Sequence, residues 1–188
     1  ELKARFERRD LKAESFSSLS NTFDLSDFRR KASSSLGDDW LALDYYFTEA
    51  ELTIVMVTAS DCTVYSEPVP KRFDMALAAC DKARRNAEPP HTNDLEILGK
   101  LLIPHSILEC LSPEPHLIIA PHRRLHPIPW PALQPDSTSH PLICLCTPSI
   151  TPSLQSLAML WGRMASMQIP AHNHGLLIGL SSFRGLHA

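Results

Sequence analysis

Apolar and polar residues alternate through much of residues 41–69, a period of two that is typical of half-buried β-strands. In LALDYYFT the apolar positions Leu41, Leu43, Tyr45 and Phe47 fall on one side of the chain. The runs ELTIVMVTAS and CTVYSEPV are rich in β-branched and aromatic residues, and the connections TEAE and SD are short. We predict three consecutive strands that pair as an antiparallel meander.

A helical period flanks these strands. Phe28, Ala32 and Leu36 recur at regular spacing before Gly37, which predicts a short helix that ends at this glycine. After the strands, the run KRFDMALAACDKARRNAE predicts a longer amphipathic helix with charged residues on its outer side. Its apolar stripe consists of Phe73, Ala76, Leu77, Cys80 and Ala83.

A third helix is predicted in NDLEILGKLLIPHSIL. Asn93 with Glu96 three residues on is typical of a capping box, and Pro104 predicts a kink or restart. The predicted buried face consists of Leu95, Leu98 and Leu102, continued by Ile107, Leu108 and Leu111.

Short apolar runs at residues 116–121, 141–148 and 175–181 predict buried strands in the second half. Between the last two, Thr151-Pro152 predicts the start of a helix whose inner face carries Leu154, Leu157 and Trp161. Strand, helix, strand in this order indicates parallel pairing with helical crossovers. The predicted fold class is α/β, with an N-terminal antiparallel meander and helices leading into a partly parallel sheet.

Composition places the chain among globular proteins and sets limits on its partners. Its 188 residues suit one domain, and a net charge of −3 offers no general attraction to nucleic acid or anionic membranes. No apolar run is long enough to span a bilayer, and the charged opening ELKARFERRD does not resemble a secretory signal. Five scattered cysteines indicate reduced thiols in an intracellular protein. Residues 1–23 are predicted to be a linker or frayed helix, and both ends of the chain look cut.

Phosphate and metal motifs are the first chemistry to consider. The glycines at 37, 99, 162, 175, 179 and 185 form no phosphate-binding loop, so we predict no nucleotide cofactor. Cys144 and Cys146 could be imagined to bind zinc together with His172 and His174. However, the two cysteines are predicted to lie on one face of an apolar strand, and neither pair has the usual zinc-site gap. We predict no metal site.

Nucleophilic catalysis gives only weak signals, because nine histidines and five cysteines bring some pairs together by chance. Cys80 and Cys110 fall on helical stripes and are predicted to be core residues. His126 follows a buried strand, a common location for functional residues in α/β sheets, but a structural imidazole bonded to local backbone is favoured. Arg123 and Arg124 could hold an acidic ligand, although adjacent arginines in a turn are more often solvated. The arginine pairs are dispersed along the chain, which disfavours nucleic-acid binding.

The order of these segments resembles the N-terminal part of a CHAT domain, a caspase-like, separase-related domain often found after tetratricopeptide repeats. The resemblance covers residues 24–188 and includes the opening helix and strands, the leucine-rich helix with its central proline, TPSITPSLQSL and GLLIGLS. Its most specific part is HLIIAPHRRLHPIPWPAL, which is similar to the family pattern "rLiivPdg.Lh.lPf.aL". His122 and Arg123 replace the "dg" positions, so we expect a different turn geometry there.

The resemblance implies a caspase-like sheet, incomplete at the C-terminus, and a cysteine-peptidase ancestry. In the family the catalytic histidine and cysteine lie on later strands, "lHfatHG" and "vvLsaCeT", and neither pattern occurs here. His126 matches a structural position of the family pattern. No catalytic, cofactor-binding or metal-binding residue is therefore assigned.

Three functions follow as hypotheses. The chain is either the N-terminal piece of a caspase-like cysteine peptidase domain, inactive by itself, or a non-catalytic interaction module associated with tetratricopeptide-type repeats. A weaker third hypothesis is a thiol hydrolase that uses Cys144 or Cys146. We also expect an unpaired apolar edge at residues 175–181 to favour aggregation of the isolated chain.

Overall fold

Residues 23–48, 50–111, 115–136 and 140–166 are described by a computed structural model. In chain order the helices and strands are α1 (Leu25–Leu36), β1 (Trp40–Phe47), β2 (Glu51–Val57), β3 (Cys62–Pro68), α2 (Lys71–Arg85), α3 (Thr92–Leu102), α4 (His105–Leu108), β4 (His116–Ala120), β5 (Thr147–Ile150) and α5 (Leu154–Ser166). The connection from β4 to β5 contains three short 3₁₀ turns, at Arg123–Leu125, Trp130–Ala132 and Leu142–Cys144.

The strands form one mixed sheet in the order β3-β2-β1-β4-β5. β1 pairs antiparallel with β2, and β2 pairs antiparallel with β3, which confirms the predicted meander. On its other side β1 pairs parallel with β4 from Trp40↔His116 to Asp44↔Ala120, and β4 pairs parallel with β5. The α/β class and the partly parallel sheet are thus confirmed.

Helices cover both faces of the sheet, and the alternating side chains of β1 supply both cores. Leu41, Leu43, Tyr45 and Phe47 face α2 and α3, where Tyr45 also contacts the buried Trp130 with ring centroids 5.0 Å apart. On the opposite face, Trp40 and Ala42 pack with residues of α1 and α5. The ring of Phe28 lies 5.7 Å from that of Trp40 and 5.7 Å from that of Trp161, which joins these two helices to the sheet.

Both ends of α1 follow local rules. Asp24 caps α1, because its carboxylate accepts hydrogen bonds from the backbone N–H groups of Ser26 and Asp27. Gly37 ends the helix with φ at 79°, as predicted. The five predicted stripe residues of α2 are all buried, which confirms that helix too.

Two details of the predicted helices and strands are wrong. α3 begins at Thr92 with His91 as its N-cap, so Asn93 lies inside the first turn and is not the cap. The run 141–148 is not a strand: residues Leu142–Cys144 form a 3₁₀ turn, and β5 begins only at Thr147. The Leu142 N–H donates to the Leu133 carbonyl over 2.8 Å, so the turn packs against the preceding loop. Leu142 and Cys146 are buried, whereas Ile143 and Cys144 are exposed, so the run is not a buried strand.

Other predictions lie outside the described residues. These are the linker or frayed helix up to residue 22, the strand at residues 175–181 with its expected apolar edge, and the histidines His172 and His174. Within the described part, no helix is both long enough and apolar enough to cross a bilayer.

Candidate functional site

The carboxyl ends of the parallel strands β1 and β4 are a candidate ligand-binding or catalytic site, because ligands of open α/β sheets bind at this end of the strands. Asp44 is the last residue of β1 that pairs with β4, opposite Ala120. Ala42 and Ala120 belong to the core beneath α1 and α5, so Asp44 points to that face as well. Tyr46 and His122 follow, with their rings stacked at 4.8 Å. The structure therefore gathers a carboxyl, a phenol and an imidazole at one edge.

Asp44 is a carboxyl in apolar surroundings. Its neighbours in the sheet are Val55 on β2 and Ala120 on β4. Burial raises its pKa from 3.8 to about 6, and no charged group contributes to this shift. A carboxyl with this pKa can exchange a proton near neutral pH. Among the described residues, however, no charged neighbour contributes to this pKa, so Asp44 is not one member of a coupled acid–base pair there.

The side chain of His122 is hydrogen-bonded to the backbone of β1. Its Nδ1 atom lies 3.1 Å from the Phe47 nitrogen and 3.2 Å from the Phe47 oxygen. Burial lowers the pKa of the imidazole, and the hydrogen bond with Phe47 acts in the opposite direction. The structural imidazole expected at His126 is thus found at His122, whereas the His126 side chain is exposed. The reason is a partner distant in sequence, which local pattern does not reveal.

The two arginines of this loop have separate roles. Arg123 is exposed and adopts a φ of 52°, in the left-handed region that favours glycine. Arg124 donates to the Asp74 carboxylate of α2 over 3.0 Å. A cleft of about 280 Å³ beside this pair also contains Arg85, which is paired with Asp81. Both guanidinium groups of the cleft already have carboxylate partners, which disfavours the anion-binding interpretation.

The cysteines are not arranged for nucleophilic catalysis. Cys80 and Cys146 are buried, and burial raises the pKa of each thiol to about 11. Cys144 is exposed, so the prediction that Cys144 and Cys146 share one strand face is wrong. Cys110 is exposed rather than core, because α4 ends at Leu108 and the turn that follows carries the thiol outward. Within residues 23–48, 50–111, 115–136 and 140–166, no group of metal-binding side chains could hold an ion.

Large apolar side chains are exposed at the β5 side of the molecule. We define the α5 surface by five residues, each more than half exposed: Ile143, Ile150, Met159, Leu160 and Met164. β5 is an edge strand of the described sheet, and α5 turns its other apolar side, with Leu154 and Ala158, toward α1 and the sheet. The inner side of this helix was predicted, whereas the exposed apolar residues of the outer side were not. Apolar residues on both sides of the run LQSLAMLWGRM were the available signal for the surface.

Comparison with known proteins identified no relative. No family model matches the sequence, and no curated protein matches it.

Proposed function

We propose that this chain carries the N-terminal part of a CHAT-like domain and acts inside the cell as a protein-interaction module. In this proposal the module belongs by ancestry to the caspase-like cysteine peptidases, but residues 24–188 supply framework and binding surface instead of catalytic groups. Its partner is a protein built from tetratricopeptide-type repeats, whose helix pairs present apolar side chains.

The α5 surface is the observation that carries this proposal. Five large apolar side chains exposed on consecutive elements are typical of a surface that another protein covers. Three of them, Met159, Leu160 and Met164, lie on one helix, and methionine adapts its shape readily to a partner. An amphipathic helix with a second apolar side can dock in a groove between helices of a repeat protein.

Two further features agree with the family resemblance. The antiparallel strands β1, β2 and β3 lead into the parallel strands β4 and β5, and a mixed α/β sheet of this kind is compatible with the caspase-like sheet that the resemblance implies. Arg123 adopts a left-handed backbone conformation, and the family pattern has glycine at this position of the turn. The turn at Pro121, His122 and Arg123 therefore has the left-handed conformation that glycine favours, so the different turn geometry expected from the two replacements is not supported.

Burial of Cys146 favours a non-catalytic role over the hydrolase hypothesis at that residue, whereas Cys144, the other candidate of the hypothesis, is exposed and is tested by substitution. A nucleophilic cysteine needs a lowered pKa, whereas burial of Cys146 disfavours its thiolate. Labelling of the native protein with iodoacetamide at neutral pH separates the two. The interaction module predicts slow labelling of Cys146 and no peptidase activity. Rapid, selective labelling of Cys146 together with peptide hydrolysis, or peptide hydrolysis that Cys144→Ser abolishes, would favour the enzyme.

The direct test is a pull-down with purified tetratricopeptide-repeat arrays from the same organism. Met159→Lys with Met164→Lys should reduce retention of the chain about tenfold or more, because two apolar contacts are replaced by charges. Met75→Lys is the matched control, since Met75 is 72% exposed on α2, outside the α5 surface. Absence of retention by every array would contradict the proposal. So would a double variant that is retained normally but melts at a lower temperature, because the surface would then serve the fold of this chain.

A further inference from the structure

The outer edge of β3 offers backbone hydrogen bonds at alternate residues. The N–H of Val69 donates to the carbonyl of Ala50 over 3.1 Å, so Val69 is bonded toward β2. Because antiparallel ladders alternate, the N–H and C=O groups of Val64 and Ser66 point away from β2. Two details agree with this assignment: the outward N–H of Cys62 is bonded to the Asp61 side chain, and Pro68, which lacks an N–H, also occupies an outward position. In the described sheet, β3 has no neighbour on this side.

A groove runs along this edge between β3 and α3. It consists of two adjoining cavities, of about 480 Å³ and about 110 Å³, which share Glu67, Lys100 and Leu101. The smaller cavity is floored by the apolar residues Leu52 and Ile54 and flanked by Tyr65. Tyr65 and Glu67 lie on the same face of β3, two residues apart, so each is next to one part of the groove.

Some charged side chains of the groove form ion pairs and others do not. Lys100 is already paired with Glu96, one turn earlier on α3. Arg72 of α2 also lines the larger cavity, is exposed, and takes part in none of the ion pairs found among the described residues. Glu67, by contrast, lies on β3 itself, where the residue directly opposite on an added strand meets it. Glu67 is exposed at the junction of the two cavities, and it takes part in none of the ion pairs found among the described residues. The groove thus combines an apolar pocket beside Tyr65 with a carboxylate beside the next same-face position.

We propose that this groove binds an extended segment of a partner protein, which adds to β3 as an antiparallel strand. A basic residue of the segment lies opposite Glu67, and an apolar residue two positions later lies opposite Tyr65 and fills the smaller cavity. The residue between them exchanges backbone hydrogen bonds with Ser66, and the residue after the apolar one accepts from the Val64 N–H. Edge-strand addition of this kind takes affinity from the main chain and specificity from alternate side chains.

This surface lies at the opposite edge of the sheet from the α5 surface, so the inference does not depend on the proposed function. Failure of the repeat-protein pull-down would leave the groove untouched. Failure of the peptide experiment below would leave the α5 surface untouched.

The test measures fluorescence polarisation of labelled pentapeptides with the whole chain. The probe is acetyl-TRTLT-amide, in which the arginine and leucine take the two proposed positions and threonine favours an extended backbone. We expect acetyl-TETLT-amide and acetyl-TRTTT-amide to bind at least about tenfold more weakly, because the first repels Glu67 and the second leaves the apolar pocket empty. Equal binding of all three peptides, or binding of none, would overturn the inference.

Two variants test the mode of binding. Glu67→Lys changes an exposed side chain and should reverse the preference, so that TETLT binds more tightly than TRTLT. Val64→Pro removes one outward N–H and should weaken TRTLT about tenfold, while Val64→Thr keeps that N–H and should bind like the unaltered chain. Thermal melts identify a proline variant that has lost its fold, in which case Glu67→Lys alone decides. An unchanged peptide preference in Glu67→Lys would overturn the inference.

Discussion

The imidazole of His122 bonds to the backbone of Phe47 at a position where a neighbouring strand would otherwise pair with it. Pairing of β1 with β4 ends at Asp44 and Ala120, and the chain then continues into Pro121, which has no N–H to donate. Phe47 lies beyond this end, yet the His122 Nδ1 atom is 3.1 Å from its nitrogen and 3.2 Å from its carbonyl oxygen, so the ring accepts from the first or donates to the second according to its tautomer. A side chain thus satisfies a backbone group that the shorter strand leaves without a partner.

Replacement of His122 should therefore destabilise the fold. His122→Ala removes the hydrogen bond with Phe47 and the stacking on Tyr46, and we expect the free energy of unfolding to fall by about 1–2 kcal/mol. His126→Ala, at an exposed position of the same loop, is the control and should change it by less than about 0.5 kcal/mol. Urea denaturation of both variants measures the difference, and equal effects would contradict a bridging role for His122.

Two helical glycines should respond oppositely to alanine. A methyl group at Gly99 of α3 would lie 2.6 Å from the backbone carbonyl of Gln134, which is fixed in place by its own N–H bond to Leu95. Gly99→Ala should therefore lower the free energy of unfolding by about 2 kcal/mol or more. At Gly162 of α5 the nearest atom is the flexible end of Lys31, 3.2 Å away. Gly162→Ala should raise stability by about 0.5–1 kcal/mol. Thermal melts compare the two, and stabilisation by Gly99→Ala would be inconsistent with the described packing.

The end of α2 lacks the glycine that its geometry favours. The N–H of Glu88 donates to the Ala83 carbonyl over 2.9 Å, and Ala87 between them has a φ of 57°. This is a Schellman motif with alanine in the left-handed position. Ala87→Gly should raise the free energy of unfolding by about 1 kcal/mol. The same substitution at the exposed helical residue Ala78 should lower it by about 0.5–1 kcal/mol. A loss of stability in Ala87→Gly would contradict the left-handed turn.

Asp44 should make stability depend on pH in a narrow window. Its folded pKa of about 6 lies above the usual value of 3.8, so between these values the folded state holds a proton that the unfolded state has released. The free energy of unfolding should therefore fall as pH rises through this window, by about 3 kcal/mol, and stay reduced above it. Asp44→Asn should remove this component and stabilise the protein at pH 7.5. Glu88→Gln, at an exposed carboxyl, is the control. An unchanged pH profile in Asp44→Asn would contradict the assignment.

Elements with a strong local pattern could be predicted from the sequence. The stripe of α2, the stop at Gly37 and the meander follow from residues close together in the chain, and each is found as expected. The break at Pro104 is also found, since α3 ends at Leu102 and α4 begins at His105. Here local propensity and tertiary packing favour the same structure.

The parts that could not be predicted depend on distant partners. A short apolar run such as 141–148 suits a strand or a turn equally, and the hydrogen bond between Leu142 and Leu133 decides for the turn. The role of His122 depends on Phe47, and the need for glycine at position 99 depends on Gln134. The α5 surface was not predicted, because the stripe of Leu154, Leu157 and Trp161 already accounts for the apolar face that packs on the core.

The two-sided pairing of β1 has a consequence during synthesis on the ribosome. The meander can close as soon as β3 has emerged, because its strands are joined by short hairpins. The other edge of β1 stays unpaired until α2, α3 and α4 have been translated and β4 can pair with it. Until then, the edge of β1 that later pairs with β4 has unpaired backbone groups, and the apolar side chains of Leu41 and Leu43 lie next to it. Molecular chaperones recognise intermediates of this kind. We expect ribosome-bound chains that end before β4 to recruit such chaperones more strongly than chains that extend past β5.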